Sequence, residues 1–230
     1  MLVLDLNLIM LTKKGYIKRI SLDTFVRQNR ATRGKGGMKT KEDDKAIEVA
    51  KKGIEIAPDE YQFYFLVGTA LIAGKHFEES IPYFEKAIEY KPDLAQIYNN
   101  LGTAYITLGN YDKAFENYAK AAEYEPDNSI TYYNMGSILQ IKNKPEEACE
   151  MFQKAYDTEP LDNYIVSLAL CEFKSKQYEK AIKHYTELAQ KYPEKTNFRY
   201  NLACCFEVIG DYDCAAEILE GIIRVNPKAV

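Results

Sequence analysis

A proline that recurs at nearly constant spacing is the feature that most constrains the fold of this chain. Six of the eight prolines are separated by intervals of 34, 34, 34, 33 and 34 residues. They are Pro58, Pro92, Pro126, Pro160, Pro193 and Pro227. A fixed period of roughly 20 to 50 residues is typical of proteins that stack copies of one small unit of secondary structure. The spacing therefore predicts a stacked repeat array.

Each interval repeats one order of bulky and small residues. The clearest unit carries Tyr98, Leu101, Gly102, Tyr105, Gly109, Tyr111, Ala114, Tyr118, Ala121 and Pro126. This order resembles the tetratricopeptide repeat, in which two helices approach closely at small residues and a proline ends the second helix. The resemblance covers about four-fifths of the chain and implies a mainly all-α fold, a tetratricopeptide-repeat superhelical solenoid.

The repeat pattern divides the chain into three predicted parts. Five full repeats are expected over residues 61–230, with bounds at 61–94, 95–128, 129–161, 162–195 and 196–230. Residues 45–60 have apolar residues at helical spacing and are expected to form a half repeat that caps the array. In the last repeat, Ile218, Ile222 and Val225 are expected on a face that a partner or a longer natural chain would cover.

Residues 1–44 carry a different pattern and a different charge. Every second residue from Leu2 to Leu8 is leucine, which indicates a strand, and residues 13–15 would turn the chain into a second strand. Residues 1–41 hold ten Lys or Arg against two acids, whereas 42–230 hold 20 against 32. We therefore predict a short N-terminal β-hairpin and a basic tract whose partners differ from those of the repeats.

The basic tract resembles a known DNA-binding element. Residues 11–44 resemble the first blade of the C-terminal, DNA-wrapping domain of the DNA gyrase A subunit, and residues 28–34 are similar to its gyrase box. Gln28, Arg30 and Gly34 match the box, whereas positions 29, 31 and 32 depart from it. The resemblance implies contacts to DNA phosphates, which position a duplex without reading its sequence. The residues expected in that role are Lys18, Arg19, Arg27, Gln28, Arg30, Arg33 and Lys35.

The role and the origin of this tract both stay open. It is a basic tail without a specific role, or it binds DNA in a salt-sensitive way, or it wraps DNA as gyrase does. Its origin is a natural fusion, a decayed gyrase fragment joined to a repeat gene, or a misjoined sequence.

Polar residues recur at one place in the repeats. The sixth residues are Leu66, Asn100, Asn134, Ser167 and Asn201. An asparagine side chain both donates and accepts hydrogen bonds, so it can pair with a peptide main chain. This arrangement resembles the asparagine ladder in the groove of the O-linked N-acetylglucosamine transferase repeats. The candidate groove residues are Asn99, Asn100, Thr103, Tyr133, Asn134, Ser137, Tyr200 and Asn201.

Two alternatives to the asparagine ladder exist for this surface. In the first, the asparagines are simply solvated residues on the face of a helix. A carboxylate clamp is disfavoured, because the positions that would supply its cations hold Gln62, Phe65, Gln96 and Asn99. We expect the groove to prefer neutral or basic extended segments.

Other classes of function find little support in the sequence. His76 and His184, expected near a turn and on an outer face, form no recognisable catalytic triad, and the five cysteines lack paired zinc-site spacing. Cys171 and Cys205 are expected to pack inward. No cofactor, metal site, signal peptide or membrane span is predicted, and the cysteine usage favours the cytoplasm.

The sequence thus predicts a non-enzymatic scaffold that binds a protein or an extended peptide. The second hypothesis is a DNA-associated protein that contacts duplex DNA through residues 13–41. The oligomeric state is left open.

Overall fold

The computed structural model describes residues 7–11, 17–21 and 39–225, with side chains for residues 46–224. Within these ranges the chain forms two strands and eleven helices, so it is mainly all-α. The strands are β1 (Asn7–Leu11) and β2 (Ile17–Ser21). The helices are α1 (Lys39–Ile56), α2 (Tyr61–Ala73), α3 (Phe77–Tyr90), α4 (Ala95–Thr107), α5 (Tyr111–Tyr124), α6 (Ser129–Ile141), α7 (Pro145–Thr158), α8 (Asp162–Lys174), α9 (Tyr178–Lys191), α10 (Thr196–Ile209) and α11 (Tyr212–Val225).

Two compact units divide the chain, residues 1–108 and residues 109–230. From α2 onward each predicted repeat contributes a first helix and a second helix. The first helices are α2, α4, α6, α8 and α10, and the second helices are α3, α5, α7, α9 and α11.

Unit 1 begins with the strand pair. β1 and β2 are antiparallel, with Asn7 opposite Ser21 and Leu11 opposite Ile17. This pairing agrees with the predicted hairpin. Its predicted turn at residues 13–15 and the leucines before Asn7 lie outside the described residues.

The helices of unit 1 pack in chain order, α1 on α2, α2 on α3 and α3 on α4. Ala50, Val67 and Leu71 are buried at the contact of α1 and α2. Gly68 is needed where α2 meets α3, because a Cβ atom there would lie 2.7 Å from the Phe84 ring. The small residue of the repeat pattern thus sets how closely the two helices approach.

Unit 2 builds its core by the same rule. Consecutive helices from α6 to α11 pack on one another. One buried cluster joins α6, α7 and α8 through Leu139, Phe152 and Leu168, and a second joins α8, α9 and α10 through residues that include Tyr185 and Leu202. Cys171 and Cys205 are fully buried in these clusters, which confirms their predicted inward packing.

The turn between the two helices of every repeat has one residue in the left-handed region. It is the fifteenth residue of the unit in all five cases. These residues, with positive φ, are Lys75, Gly109, Asn143, Lys176 and Gly210. Glycine adopts this conformation without steric cost, whereas a residue with a Cβ atom does not.

Two features differ from the sequence prediction: the start of α1, and which residues of the last helix are covered. α1 begins at Lys39, so residues 39–44, which the sequence pattern places in the basic tract, belong to a helix. In the last repeat Ile222 is buried and Ile218 packs against the core, so the prediction that these two lie on an uncovered face is wrong. Ile218 and Ile222 lie on the inward side of α11, whereas Leu219 and Ile223 are exposed. The side chain of Val225 lies outside the described residues.

No helix in the described part of the chain combines the length and the apolar character that crossing a membrane requires.

Candidate functional site

In unit 2, one face of each first helix stays accessible. It comprises the second, fifth, sixth and ninth residues of the repeats on α6, α8 and α10, and none of these twelve side chains is buried. We call this set the open face. Its members are Ile130, Tyr133, Asn134, Ser137, Asn163, Val166, Ser167, Leu170, Asn197, Tyr200, Asn201 and Cys204.

The helical period explains why these positions stay accessible. Residues three, seven, eight and ten of each first helix are buried in all three repeats, for example Thr131, Met135, Gly136 and Ile138 on α6. Residues two, five, six and nine follow at steps of three or four on the opposite side, so they form a stripe along each helix.

Asn134 is the predicted ladder residue best placed to bind something. It is half-buried on α6 and, among the described side chains, its amide has no hydrogen-bonding partner. An asparagine amide carries two donors and an acceptor, all of which are left for a ligand or for solvent.

Tyr133 contributes to the packing of the repeats more than the sequence indicated. Its ring centroid lies 5.5 Å from that of Phe152 and 5.1 Å from that of Tyr164. Its hydroxyl accepts a hydrogen bond from Ser167 Oγ at 3.5 Å. Tyr133 therefore connects α6, α7 and α8, and only part of its surface is open.

Ser137 and Ser167 line the same face. Ser137 Oγ donates to the Tyr133 carbonyl at 2.9 Å, which leaves its lone pairs free to accept. Ser167 occupies the sixth position, where the neighbouring repeats have asparagine, and its hydroxyl bonds to Tyr133. A hydroxyl thus replaces an amide at the middle step of the ladder.

The two predicted residues on α10, Tyr200 and Asn201, lie in different surroundings. Tyr200 is 57% exposed, and the pKa of its hydroxyl is raised chiefly by the neighbouring Cys204 thiol. Asn201 lies beside the hydroxyl of buried Tyr185; burial raises the pKa of this hydroxyl, and the Asn201 side chain lowers it. Asn201 therefore has an interior neighbour as well as an accessible edge.

Unit 1 carries a corresponding face on α2 and α4. Asn100 Nδ2 donates to Thr69 Oγ1 at 3.4 Å, which joins the two first helices. Thr69 and Thr103 each donate to a carbonyl of their own helix, at 2.8 Å from Phe65 O and 3.0 Å from Asn99 O. The members of this face are Gln62, Phe65, Leu66, Thr69, Gln96, Asn99, Asn100 and Thr103, none of them buried.

The two histidines lie in different environments. His76 is exposed before α3, and its Nδ1 lies 3.1 Å from Glu79. The prediction that His184 lies on an outer face is wrong, because it is 9% exposed and its Nδ1 lies 2.7 Å from Oε2 of Glu172, itself 1% exposed. Glu172 carried no sequence signal, since its partner comes from the following helix.

No group of three potential metal ligands occurs among residues whose side chains the structure describes. Of the predicted DNA contacts, Lys18 and Arg19 lie on β2, opposite Met10 and Ile9. The other predicted contacts, Arg27, Gln28, Arg30, Arg33 and Lys35, lie outside the described residues.

Comparison with known protein families assigns both parts of the sequence. Three tetratricopeptide repeat models match residues 62–127, 117–150 and 172–230. The model described as DNA gyrase C-terminal domain, beta-propeller, matches residues 6–50, which extends into α1. The resemblances to the tetratricopeptide repeat and to the gyrase A subunit are thereby confirmed.

A curated relative matches the N-terminal part alone. The DNA gyrase A subunit of Synechocystis sp. (strain ATCC 27184 / PCC 6803 / Kazusa) is 60% identical over 40 residues, which are 17% of this chain and 5% of that protein. The chain therefore spans a small fraction of this relative's length.

Solved structures share the helical architecture. YrrB, described as a TPR protein with an unusual peptide-binding site, superposes with a TM-score of 0.71 at 20% identity, over 80% of this chain and 95% of that one. The MamA protein superposes with a TM-score of 0.64 at 19% identity, over 73% and 92%. The predicted fold class, a tetratricopeptide-repeat solenoid, is confirmed.

Proposed function

We propose, on the premise that this chain belongs to the tetratricopeptide-repeat family, that it is a non-enzymatic scaffold whose open face holds an extended segment of a partner protein. The observation that carries the proposal is the row of polar sixth residues on three successive first helices, Asn134, Ser167 and Asn201, all accessible. The solved structure of YrrB supports it at the level of fold, since that protein has a peptide-binding site. The predicted cytoplasmic location remains a prediction.

Hydrogen bonding to the peptide main chain is the proposed mode of capture. Asn134 offers an unpartnered amide, and Ser137 offers free lone pairs one turn further along α6. An extended peptide presents N–H and C=O groups along both edges, and each needs a partner when it is withdrawn from water. Amide and hydroxyl side chains satisfy such groups without demanding a particular side chain on the peptide.

The test compares capture of peptides by the full chain and by variants. Peptides are selected from a random twelve-residue phage library on the full chain, and their affinities are measured by fluorescence anisotropy. Replacing Asn134, Ser167 and Asn201 together by Ala is expected to weaken binding at least about tenfold, since each lost neutral hydrogen bond is worth about 1 kcal/mol.

Two controls separate a binding role from a folding role. Asn117→Ala removes an asparagine from a second helix, where its amide donates to the Lys113 carbonyl, and is expected to leave affinity unchanged. Asn134→Ala alone disturbs no described contact and is expected to weaken binding several-fold with unchanged circular dichroism. Unchanged affinity in both the triple and the single variant would show that the open face does not hold the peptide.

A DNA-associated function is the second candidate, favoured by the 60% identity to a gyrase A subunit over 40 residues. In it, the basic tract contacts phosphates while the repeats hold a protein. Replacing Arg27, Arg30 and Arg33 together by Ala in the full chain is expected to weaken binding to a duplex and to flatten its salt dependence. Equal DNA binding by the unchanged chain and the variant at low salt, or binding by neither, would contradict the DNA-associated function. The scaffold function would then be the remaining candidate.

A further inference from the structure

The open face carries no charged side chain. Neither do the eight residues of the corresponding face in unit 1, so twenty accessible positions hold no Asp, Glu, Lys or Arg. Charged residues make up 28% of the chain, and about five or six would be expected at twenty ordinary positions. The absence of charge therefore sets these faces apart from the rest of the surface.

Burial does not explain the absence, because charges are plentiful on the second helices next to them. The exposed charges of α7 and α9 include Glu146, Glu147, Glu150, Lys154, Asp157, Glu179, Lys180, Lys183, Glu187 and Lys191. Both kinds of helix are of similar length and meet solvent. The two kinds of helix therefore differ in the charge of their accessible faces.

The open face also exposes large apolar side chains between its polar groups. Ile130 is 60% exposed, Tyr200 57% and Leu170 39%. Single exposed apolar residues are common on surfaces, but these three belong to the same open face as Asn134 and Ser167. An apolar surface with a few placed amide and hydroxyl groups is the chemistry of a recognition site.

We infer that the segment held by the open face is an extended peptide without ionised side chains, in which aliphatic side chains meet Ile130, Leu170 and Tyr200 while the main chain meets Asn134 and Ser167. This inference rests on the proposed function and narrows its ligand from neutral or basic segments to neutral ones.

Desolvation is the physical reason. A carboxylate or ammonium group brought against this face loses water and finds no opposite charge among its twelve side chains, which disfavours its binding strongly. An aliphatic side chain gains from the same contact, because apolar area is removed from water. The face therefore discriminates against charge in the absence of any repulsive group of its own.

The first test uses the random twelve-residue library selected on the full chain. Selected peptides are expected to be depleted in Asp, Glu, Lys and Arg at least about threefold relative to the input library, and their affinity is expected to change less than about twofold between low and high salt. Enrichment of charged peptides whose binding falls with salt would overturn the inference and leave the scaffold function standing. Failure to select any peptide would contradict both this inference and the proposed scaffold function.

The second test places one charge on the face. Ser167→Glu is expected to weaken the neutral peptides at least about tenfold and to shift a new selection toward Lys and Arg. Gln190→Glu, which adds the same charge to an exposed position of α9, is the matched control and is expected to change neither result. Equal affinity of the neutral peptides for Ser167→Glu and for the unchanged chain would overturn the inference.

Discussion

At the scale of single residues, the inter-helix turns show how far the sequence determines local structure. Gly109 and Gly210 occupy the fifteenth position of their repeats, and a left-handed residue there could be predicted from them. Lys75 and Lys176 adopt the same conformation, with φ of 67° and 61°, without such a signal. Their conformation follows from the packing of the two helices they join, which overrides the local preference of lysine.

Lys176→Gly is expected to stabilise the protein. Relief of the left-handed conformation is worth about 1–2 kcal/mol and exceeds the entropic cost of glycine by a few tenths to about 1 kcal/mol. The free energy of unfolding in urea measures the change. Lys174→Gly, within the last turn of α8, is the matched control and is expected to destabilise by about 1 kcal/mol. Destabilisation of equal size in both variants would show that the turn stores no strain.

The buried pair Glu172 and His184 is expected to matter for stability. Glu172→Ala leaves the buried imidazole without its hydrogen-bonding partner inside unit 2, and about 1–3 kcal/mol of unfolding free energy should be lost. Glu179→Ala, at an exposed position of the next helix, should change it by less than about 0.5 kcal/mol. Similar small losses in both variants would mean that solvent replaces the lost contact.

At the scale of helices, the numbering of positions within a repeat is enough to locate the accessible face. Sixth residues such as Asn134 and Asn201 could be predicted as accessible because the core positions around them follow the helical period. Their individual neighbours could not, because Asn201 lies beside Tyr185 of the preceding helix and Tyr133 packs on two other helices. Contacts of that kind depend on side-chain conformations in neighbouring repeats.

Helix approach gives a sharp prediction at Gly136. A Cβ atom there would lie 2.8 Å from the Phe152 ring, so Gly136→Ala should force α6 and α7 apart and cost about 1–3 kcal/mol of unfolding free energy. At Gly221 on α11 a Cβ atom would meet nothing, and Gly221→Ala should stabilise by up to about 1 kcal/mol. Thermal and urea unfolding distinguish the two. Stabilisation by both substitutions would contradict the close approach.

At the scale of the whole molecule, sequence periodicity predicted the repeat fold because every unit obeys the same small-and-bulky pattern. The start of α1 was not predicted, since residues 39–44 lack an apolar period and follow three glycines. The N-terminal part was identified through its similarity to a gyrase A subunit, which no feature of the repeats would have indicated. Periodic sequence thus determines the array, while the junction between the two parts does not follow from either pattern.

The central claim is that the open face holds a partner by its main chain. Calorimetric titration of the full chain with one selected peptide, and with the same peptide N-methylated at alternate residues on either edge, tests it most directly. Methylation keeps every side chain and removes main-chain donors, so one of the two methylated peptides should bind at least about tenfold more weakly. Equal affinity of all three peptides would contradict main-chain capture by Asn134 and its neighbours.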